Sequence, residues 1–129
     1  MKHRQKMLPN WSLGPFRLLL FLALVLVTQQ MLTNTPASIF ASIWDKLLHF
    51  FAWGLIFFLA YGASQSRRSF MLLSLAILIY SLILEMLQPL VSQRIFSMGD
   101  ILSNVTGGVF AYFLISTADN FLKKWCVKS

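Results

Sequence analysis

The chain has 129 residues, of which 57% are hydrophobic and 12% charged, and its formal net charge is +7. Soluble domains have about 25% charged residues, so the fifteen charged side chains here are too few to cover a soluble globule. The composition also excludes a disordered chain, and the single cysteine, Cys126, excludes an internal disulfide and a multi-cysteine metal site.

Four apolar segments are predicted to cross a membrane, since one crossing takes about 20 mostly apolar residues. They run from about Phe16 to Thr33, Lys46 to Ala63, Phe70 to Leu90 and Ile101 to Thr117. The fourth is the weakest, because Ser103, Asn104 and Thr106 lie inside it. The first begins like a secretory signal, but residues 29–31 form a poor cleavage site, so we expect it to stay uncleaved. The sequence therefore predicts an all-α integral membrane four-helix bundle. Its membrane domain covers residues 16–117, between a segment over 1–15 and a polar tail over 118–129.

Capping patterns mark the predicted helix boundaries. Ser42 and Asp45, and likewise Ser97 and Asp100, fit the Ser-x-x-Asp pattern at the starts of the second and fourth spans. Pro89 is predicted to end the third span or to kink it nearby. Three tryptophans are predicted near the membrane interfaces, where the indole ring is favoured: Trp44, Trp53 and Trp125.

Basic residues are concentrated on one side of the predicted topology. Nine of the eleven fall on that side: Lys2, Arg4, Lys6, Arg17, Arg67, Arg68, Lys123, Lys124 and Lys128. Because positive charge stays on the cytosolic side of a membrane, we expect a multi-pass protein with both termini in the cytosol. A nucleic-acid partner is not expected, since no basic helix face is present.

The remaining charged residues in or between the spans fall at the opposite, outer end. They and their polar neighbours are Asp45, Lys46, His49, Glu85, Gln88, Arg94, Asp100 and Asn104. Four residues of helix rise about 6 Å. We therefore predict an inner layer one turn below the surface, formed by His49, Glu85 and Asn104. A rim is predicted above that layer, formed by Asp45, Gln88, Arg94 and Asp100.

Glu85 is the most informative single residue of this group. A carboxylate inside a span costs roughly 2.5–3.5 kcal/mol on insertion scales, so it should face the bundle and have a partner. His49 and Arg94 are the candidates within reach. A face of small residues on the fourth span is predicted to allow close helix packing: Ser103, Gly107 and Ala111.

The chain lacks the sequence motifs of several known classes of enzyme. The chain has no nucleophile elbow, no His-Glu-x-x-His motif and no phosphate loop. The candidate catalytic residues are Glu85, His49 and Asp100. The candidate substrate-binding residues are Arg94, Asp45, Lys46, Gln88 and Asn104. Arg94 suits a phosphate or carboxylate group, and Glu85 and His49 can exchange a proton. No cofactor is expected, with a divalent cation at Asp45, Glu85 and Asp100 left open.

Other interpretations of the same residues stay open. Asp45 and Asp100 can serve only as helix caps, and His49 only as a packing residue bonded to Asn104. The whole cluster carries a net charge of minus one when His49 is neutral, so it can also be a structural ion-pair network. Convergence of three spans and a loop on one end instead favours a ligand site.

The order and spacing of these motifs resemble the VanZ family of small bacterial membrane proteins. The resemblance covers about residues 45–115. It is carried by Asp45-Lys46-x-x-His49, by Glu85-x-x-Gln88, by Arg94 and by Asp100-x-x-x-Asn104-x-x-Gly107. It implies a bacterial cytoplasmic-membrane location and an association with resistance to the glycopeptide teicoplanin. Many members occur outside resistance clusters, so we do not assume resistance here.

The leading functional hypothesis is an outward-facing pocket that binds or modifies an anionic envelope lipid or a lipid-linked envelope precursor. Whether the site catalyses a reaction is left open. A second hypothesis is a non-enzymatic accessory protein that docks to another envelope protein or to its own copies. A third is a small oligomeric ion-coupled carrier, which would place charge near the membrane midplane. The charge here lies at one end, and this disfavours the carrier.

Overall fold

The described residues form four α-helices, each running in the opposite direction to the one before it. A computed structural model describes the backbone over residues 10–33, 39–92 and 94–126, and the side chains over 13–33, 43–92 and 94–121. The helices are α1 (Asn10–Met31), α2 (Ile39–Gly62), α3 (Arg67–Val91) and α4 (Met98–Cys126). The described residues contain no strand, and each helix is long and apolar enough to cross a membrane. The predicted all-α, four-helix class is confirmed.

The helix boundaries agree with the sequence at one cap and differ at another. The backbone N–H of Asp100 donates to Ser97 Oγ at 3.3 Å, directly before α4 begins. The cap predicted at Ser42 is wrong, because α2 begins at Ile39 and places Ser42 inside the helix. Apolar residues precede Ser42, so nothing interrupts the helix there. Pro89 lies near the end of α3, as predicted.

The surface is far more apolar than that of a soluble protein. Large apolar side chains cover the outward faces, with Phe21 63% and Phe51 66% exposed. Glu85, Gln88 and Asn104 are fully buried between the helices. This arrangement suits a protein surrounded by lipid, where exposed apolar groups cost nothing and polar groups must be shielded.

Trp53 lies near the middle of the candidate span Ile43–Gly62, and not near an end of it as an interfacial position would require. Its side chain is fully buried and packs in the core with Ile56 and Phe57. The reason is helical periodicity, because Trp53 follows the buried His49 by four residues on the same face of α2. Trp44 is 66% exposed, and the Trp125 side chain lies outside the described residues.

Among the helix pairs described, α2 and α4 lie against each other over the greatest length. Gly107 allows their backbones to approach closely. A Cβ atom at Gly107 would clash with the carbonyl oxygen of Phe50 and would lie 3.2 Å from the backbone nitrogen of Gly54. Ala111 lies one turn further on the same face and is buried, and Ser103 one turn earlier is half-buried. The two helices therefore pack backbone against backbone.

Hydroxyl groups in α4 bond to the helix that carries them. Ser103, Thr106 and Thr117 each donate to the carbonyl four residues earlier at 2.8 Å. Those bonds satisfy the hydroxyls without help from a neighbouring helix. They explain why α4, predicted as the weakest span, accommodates these residues. The helix also continues beyond Thr117, into the predicted polar tail.

A second group of polar contacts closes the end of the bundle that carries Arg17, Arg67 and Arg68, called the basic end below. The Tyr61 hydroxyl of α2 donates to the carboxylate of Asp119 in α4, 2.9 Å from Oδ1 and 2.7 Å from Oδ2. Arg17 donates to the Ala63 carbonyl at 3.4 Å, and so connects α1 to the end of α2. These bonds fix the helix ends relative to one another.

Replacing Tyr61 by phenylalanine is expected to lower the free energy of unfolding by about 1–2 kcal/mol. The change removes a hydrogen bond to a charged group while keeping the aromatic ring. The control is Tyr112→Phe, because the Tyr112 hydroxyl accepts from Arg67 on the exposed surface, where such bonds contribute little. The thermal unfolding midpoints of the two variants, measured in detergent, test this expectation. Equal midpoints for the two variants would contradict a stabilising role for the Tyr61–Asp119 bond.

Candidate functional site

Polar side chains from α2, α3 and α4 meet at the other end of the bundle, together with Arg94 from the α3–α4 connection. We call it the polar end. It comprises all eight site residues predicted outside the packing face: Asp45, Lys46, His49, Glu85, Gln88, Arg94, Asp100 and Asn104. Helical periodicity brings six of them to common faces of their helices, because Asp45 and His49, Glu85 and Gln88, and Asp100 and Asn104 are three or four residues apart.

Two ion pairs link the outer part of the polar end. Arg94 Nη2 donates to Asp45 Oδ2, with the two side chains 13% and 29% exposed. Lys46 Nζ lies 4.0 Å from Asp100 Oδ1. Both basic partners are partly accessible, so each pair contributes only modestly to stability. Their effect is to fix the positions of two carboxylates beside His49.

An inner layer lies around His49. Its Nδ1 is 2.8 Å from Asn104 Oδ1 and 3.5 Å from Glu85 Oε1. An amide oxygen only accepts hydrogen bonds, so Nδ1 of His49 carries the hydrogen. When the ring is neutral, Nε2 then holds the free lone pair. The three residues predicted for this layer therefore lie in contact.

Several buried polar atoms of this region have no hydrogen-bond partner among the described residues. They are both carboxylate oxygens of Glu85, both amide atoms of Gln88, Nδ2 of Asn104 and Oδ1 of Asp100. Each such atom costs about 1–3 kcal/mol. A purely structural network would give its members hydrogen bonds of normal geometry, so this concentration of atoms without such bonds favours a site kept for a ligand or for chemistry.

The predicted rim is only partly exposed. Gln88 is fully buried and Asp100 is 4% exposed, so neither lines an open surface. Gln88 follows Glu85 by three residues and therefore shares its inward face of α3. Asp100 lies in the first turn of α4, beneath Lys46. Asp45 and Arg94 remain as the accessible part of the predicted rim.

A pocket of about 290 Å³ opens beside the accessible rim, between α1 and α2. One part of its wall is apolar, formed by Leu26, Val27, Met31, Leu48, Ala52 and Trp53. The other part is polar, formed by Gln30, Asp45, His49 and Arg94. The pocket thus combines an apolar surface with a guanidinium and an imidazole.

The pocket includes residues that the sequence did not indicate as part of a site. Trp53 lines it, and its buried Nε1 has no partner among the described residues. The four-residue spacing from Asp45 to His49 to Trp53 is a signal that was available in the sequence. Gln30 and its neighbours in α1 gave no such signal, because their role depends on how α1 packs against α2.

Three potential metal ligands lie together at the polar end. One ligand atom each of Asp45, His49 and Asp100 lies within 4.8 Å of the others. The sequence analysis left open a cation at Asp45, Glu85 and Asp100. In the structure the ligand beside the two aspartates is His49, and not Glu85. Oxygen and imidazole nitrogen donors of this kind can hold a divalent ion.

Comparison with known protein families gives one match. The family model described as VanZ/LLP1 matches residues 2–121. Neither the curated proteins nor the solved structures contain a match to the chain. The family match extends beyond the motif region to include α1, which supplies part of the pocket wall.

Proposed function

The chain belongs to the VanZ/LLP1 family, and from this premise we propose that it is a bacterial cell-envelope protein whose pocket binds an anionic lipid or a lipid-linked envelope precursor. One observation carries the proposal, the combination of an apolar wall and a basic, polar wall in one pocket. An amphiphile with a phosphate head and a hydrocarbon chain matches both walls.

Arg94 is the proposed anchor for the anionic group. Its bond to Asp45 uses Nη2, and a guanidinium has five N–H donors, so others remain for a phosphate oxygen. His49 lines the same pocket and offers a further polar contact. The hydrocarbon chain would lie along the apolar residues of α1 and α2.

The distribution of basic residues supports a ligand on the outer side of the membrane. Arg17, Arg67 and Arg68 lie at the basic end, and basic segments stay on the cytosolic side. The polar end then faces outward, where it meets outer-leaflet lipids and lipid-linked precursors. Both termini lie in the cytosol in this arrangement.

Modification of the bound lipid is a second step of the same proposal. Glu85 and His49 lie 3.5 Å apart and can exchange a proton during such a reaction. Asn104 holds the His49 ring in one orientation through its bond to Nδ1. Binding and modification separate experimentally, because binding depends on Arg94 and proton transfer depends on Glu85.

Replacing Arg94 by glutamine is expected to abolish a preference for anionic amphiphiles. The thermal midpoint of the purified chain in detergent is measured with two matched pairs, phosphatidylglycerol against phosphatidylcholine and a polyprenyl phosphate against the polyprenol. For wild type we expect one anionic member to stabilise by about 2–3 kcal/mol near saturation. Arg94→Gln should remove this difference, because it removes the cation at the pocket.

The control is Arg68→Gln, which removes an exposed cation from the basic end. It should keep the wild-type preference. A response to polyprenyl phosphate alone identifies a lipid-linked precursor, and a response to phosphatidylglycerol alone identifies a bilayer lipid. Equal midpoints within both pairs for wild type would contradict the proposal, as would an unchanged preference in Arg94→Gln.

A further inference from the structure

We infer that the polar end binds one divalent transition-metal ion, of the Mn²⁺ or Zn²⁺ class, through Asp45, His49 and Asp100. The three ligands come from two helices, with Asp45 and His49 one turn apart on α2 and Asp100 in the first turn of α4. The site lies at the close contact of these two helices. An ion there would join α2 to α4.

The distances among the ligand atoms suit an ion of this size. The three atoms lie within 4.8 Å of one another. Metal–ligand bonds of about 2.0–2.2 Å hold neighbouring ligand atoms about 3–4 Å apart, so small side-chain rotations suffice. Arg94 bonds one oxygen of Asp45 and leaves the other for the ion. Lys46 Nζ lies 4.0 Å from Asp100 Oδ1, so an ion at Asp100 would share that carboxylate with an existing ion pair.

The surroundings of His49 resemble the environment of a metal-bound histidine. Its Nδ1–H donates to Asn104 Oδ1 at 2.8 Å, which leaves Nε2 as the ligand atom. The carboxylate of Glu85 lies 3.5 Å from the same Nδ1. Metal-bound histidines usually direct their second nitrogen at a carbonyl or carboxylate in this way, and that contact fixes the ring and raises its basicity.

Buried polar groups without hydrogen bonds of normal geometry give an independent reason to expect a ligand here. Glu85 and Gln88 are fully buried, and none of their side-chain oxygen or nitrogen atoms has a hydrogen-bond partner among the described residues. Glu85 points toward His49, and it lies within electrostatic range of Asp100 and Asp45. Three carboxyl groups therefore lie close together at the polar end, and a cation bound among them would offset their mutual repulsion.

The types of ligand atom indicate which class of metal ion the site would bind. Imidazole suits zinc and other transition ions, and carboxylates suit manganese as well as magnesium and calcium. Calcium takes six to eight oxygen ligands, and magnesium keeps several waters, so one imidazole with two carboxylates fits those ions less well. Three protein ligands also leave a coordination position free beside the pocket.

Calorimetric titration of the full chain in detergent, after treatment with a chelator, tests this inference. MnCl₂, ZnCl₂ and MgCl₂ are titrated separately without added lipid, so the result does not depend on the lipid proposal. We expect one Mn²⁺ or Zn²⁺ per chain and weaker Mg²⁺ binding. Asp100→Asn and His49→Gln should each weaken transition-metal binding roughly tenfold or more.

Matched controls are the acidic residue at the basic end and the other histidine, changed as Asp119→Asn and His3→Gln. Both should keep the wild-type affinity. Pulsed electron paramagnetic resonance of Mn²⁺-loaded wild type gives a second readout, a nitrogen coupling that His49→Gln loses and His3→Gln keeps. The inference is overturned if wild type binds neither transition ion, if all variants bind equally, or if the Mn²⁺ signal shows no nitrogen.

Discussion

Gly107→Ala is expected to be among the most destabilising single-methyl changes in this protein, with a cost of about 3 kcal/mol. The added Cβ would meet the Phe50 carbonyl oxygen and the backbone of Gly54. Both neighbours are backbone atoms of α2, so no side-chain rotation relieves the overlap. Overpacking of this kind typically costs 1–3 kcal/mol, and here α4 must move away from α2 as a whole.

The matched control is Gly14→Ala, since a Cβ at Gly14 in α1 meets nothing within 4 Å. Alanine is favoured over glycine in helices by about 1 kcal/mol, so this variant should match or exceed the wild-type thermal midpoint. If Gly107→Ala unfolded at the same temperature as Gly14→Ala, close packing of α2 on α4 would not be a main source of stability.

The fold was predictable where the sequence signal is local and strong. Apolar length alone predicts four spanning helices, because each bilayer crossing imposes the same requirement. The start of α2 was less predictable. Ser42 has the residue types of a cap, but the apolar run before it continues the helix to Ile39. The residue types therefore predicted the presence of α2 correctly, whereas its first residue depends on the apolar sequence that precedes Ser42.

The polar site was predictable as a group and less so in its internal geometry. Helical spacing brings His49 and Asn104 together, and the structure gives that contact at 2.8 Å. The burial of Gln88 and Trp53 was not predicted. Both depend on which face of a helix meets its neighbours, and in a lipid-exposed bundle apolar residues occur on every face. The contribution of α1 to the pocket follows only from tertiary packing.

Glu85→Gln is expected to raise the free energy of unfolding, by about 1–3 kcal/mol. Glu85 is fully buried, and within the described part of the chain neither of its oxygens makes a hydrogen bond of normal geometry, although His49 and Asn104 lie beside it. The substitution keeps the shape of the side chain and removes a charge that burial makes costly. Residues kept for function often reduce stability in this way. The thermal midpoint at neutral pH measures the effect.

Asp119→Asn is the control for this change, since it removes an acidic charge whose hydrogen bonds are made. Asp119 accepts from the Tyr61 hydroxyl through both oxygens, so its replacement should lower the midpoint. Opposite shifts in the two variants would separate a carboxylate held for function from one held for structure. A fall of several degrees in Glu85→Gln would instead make Glu85 a member of a stabilising pair with His49. The structural ion-pair network would then account for the polar end better than a ligand site does.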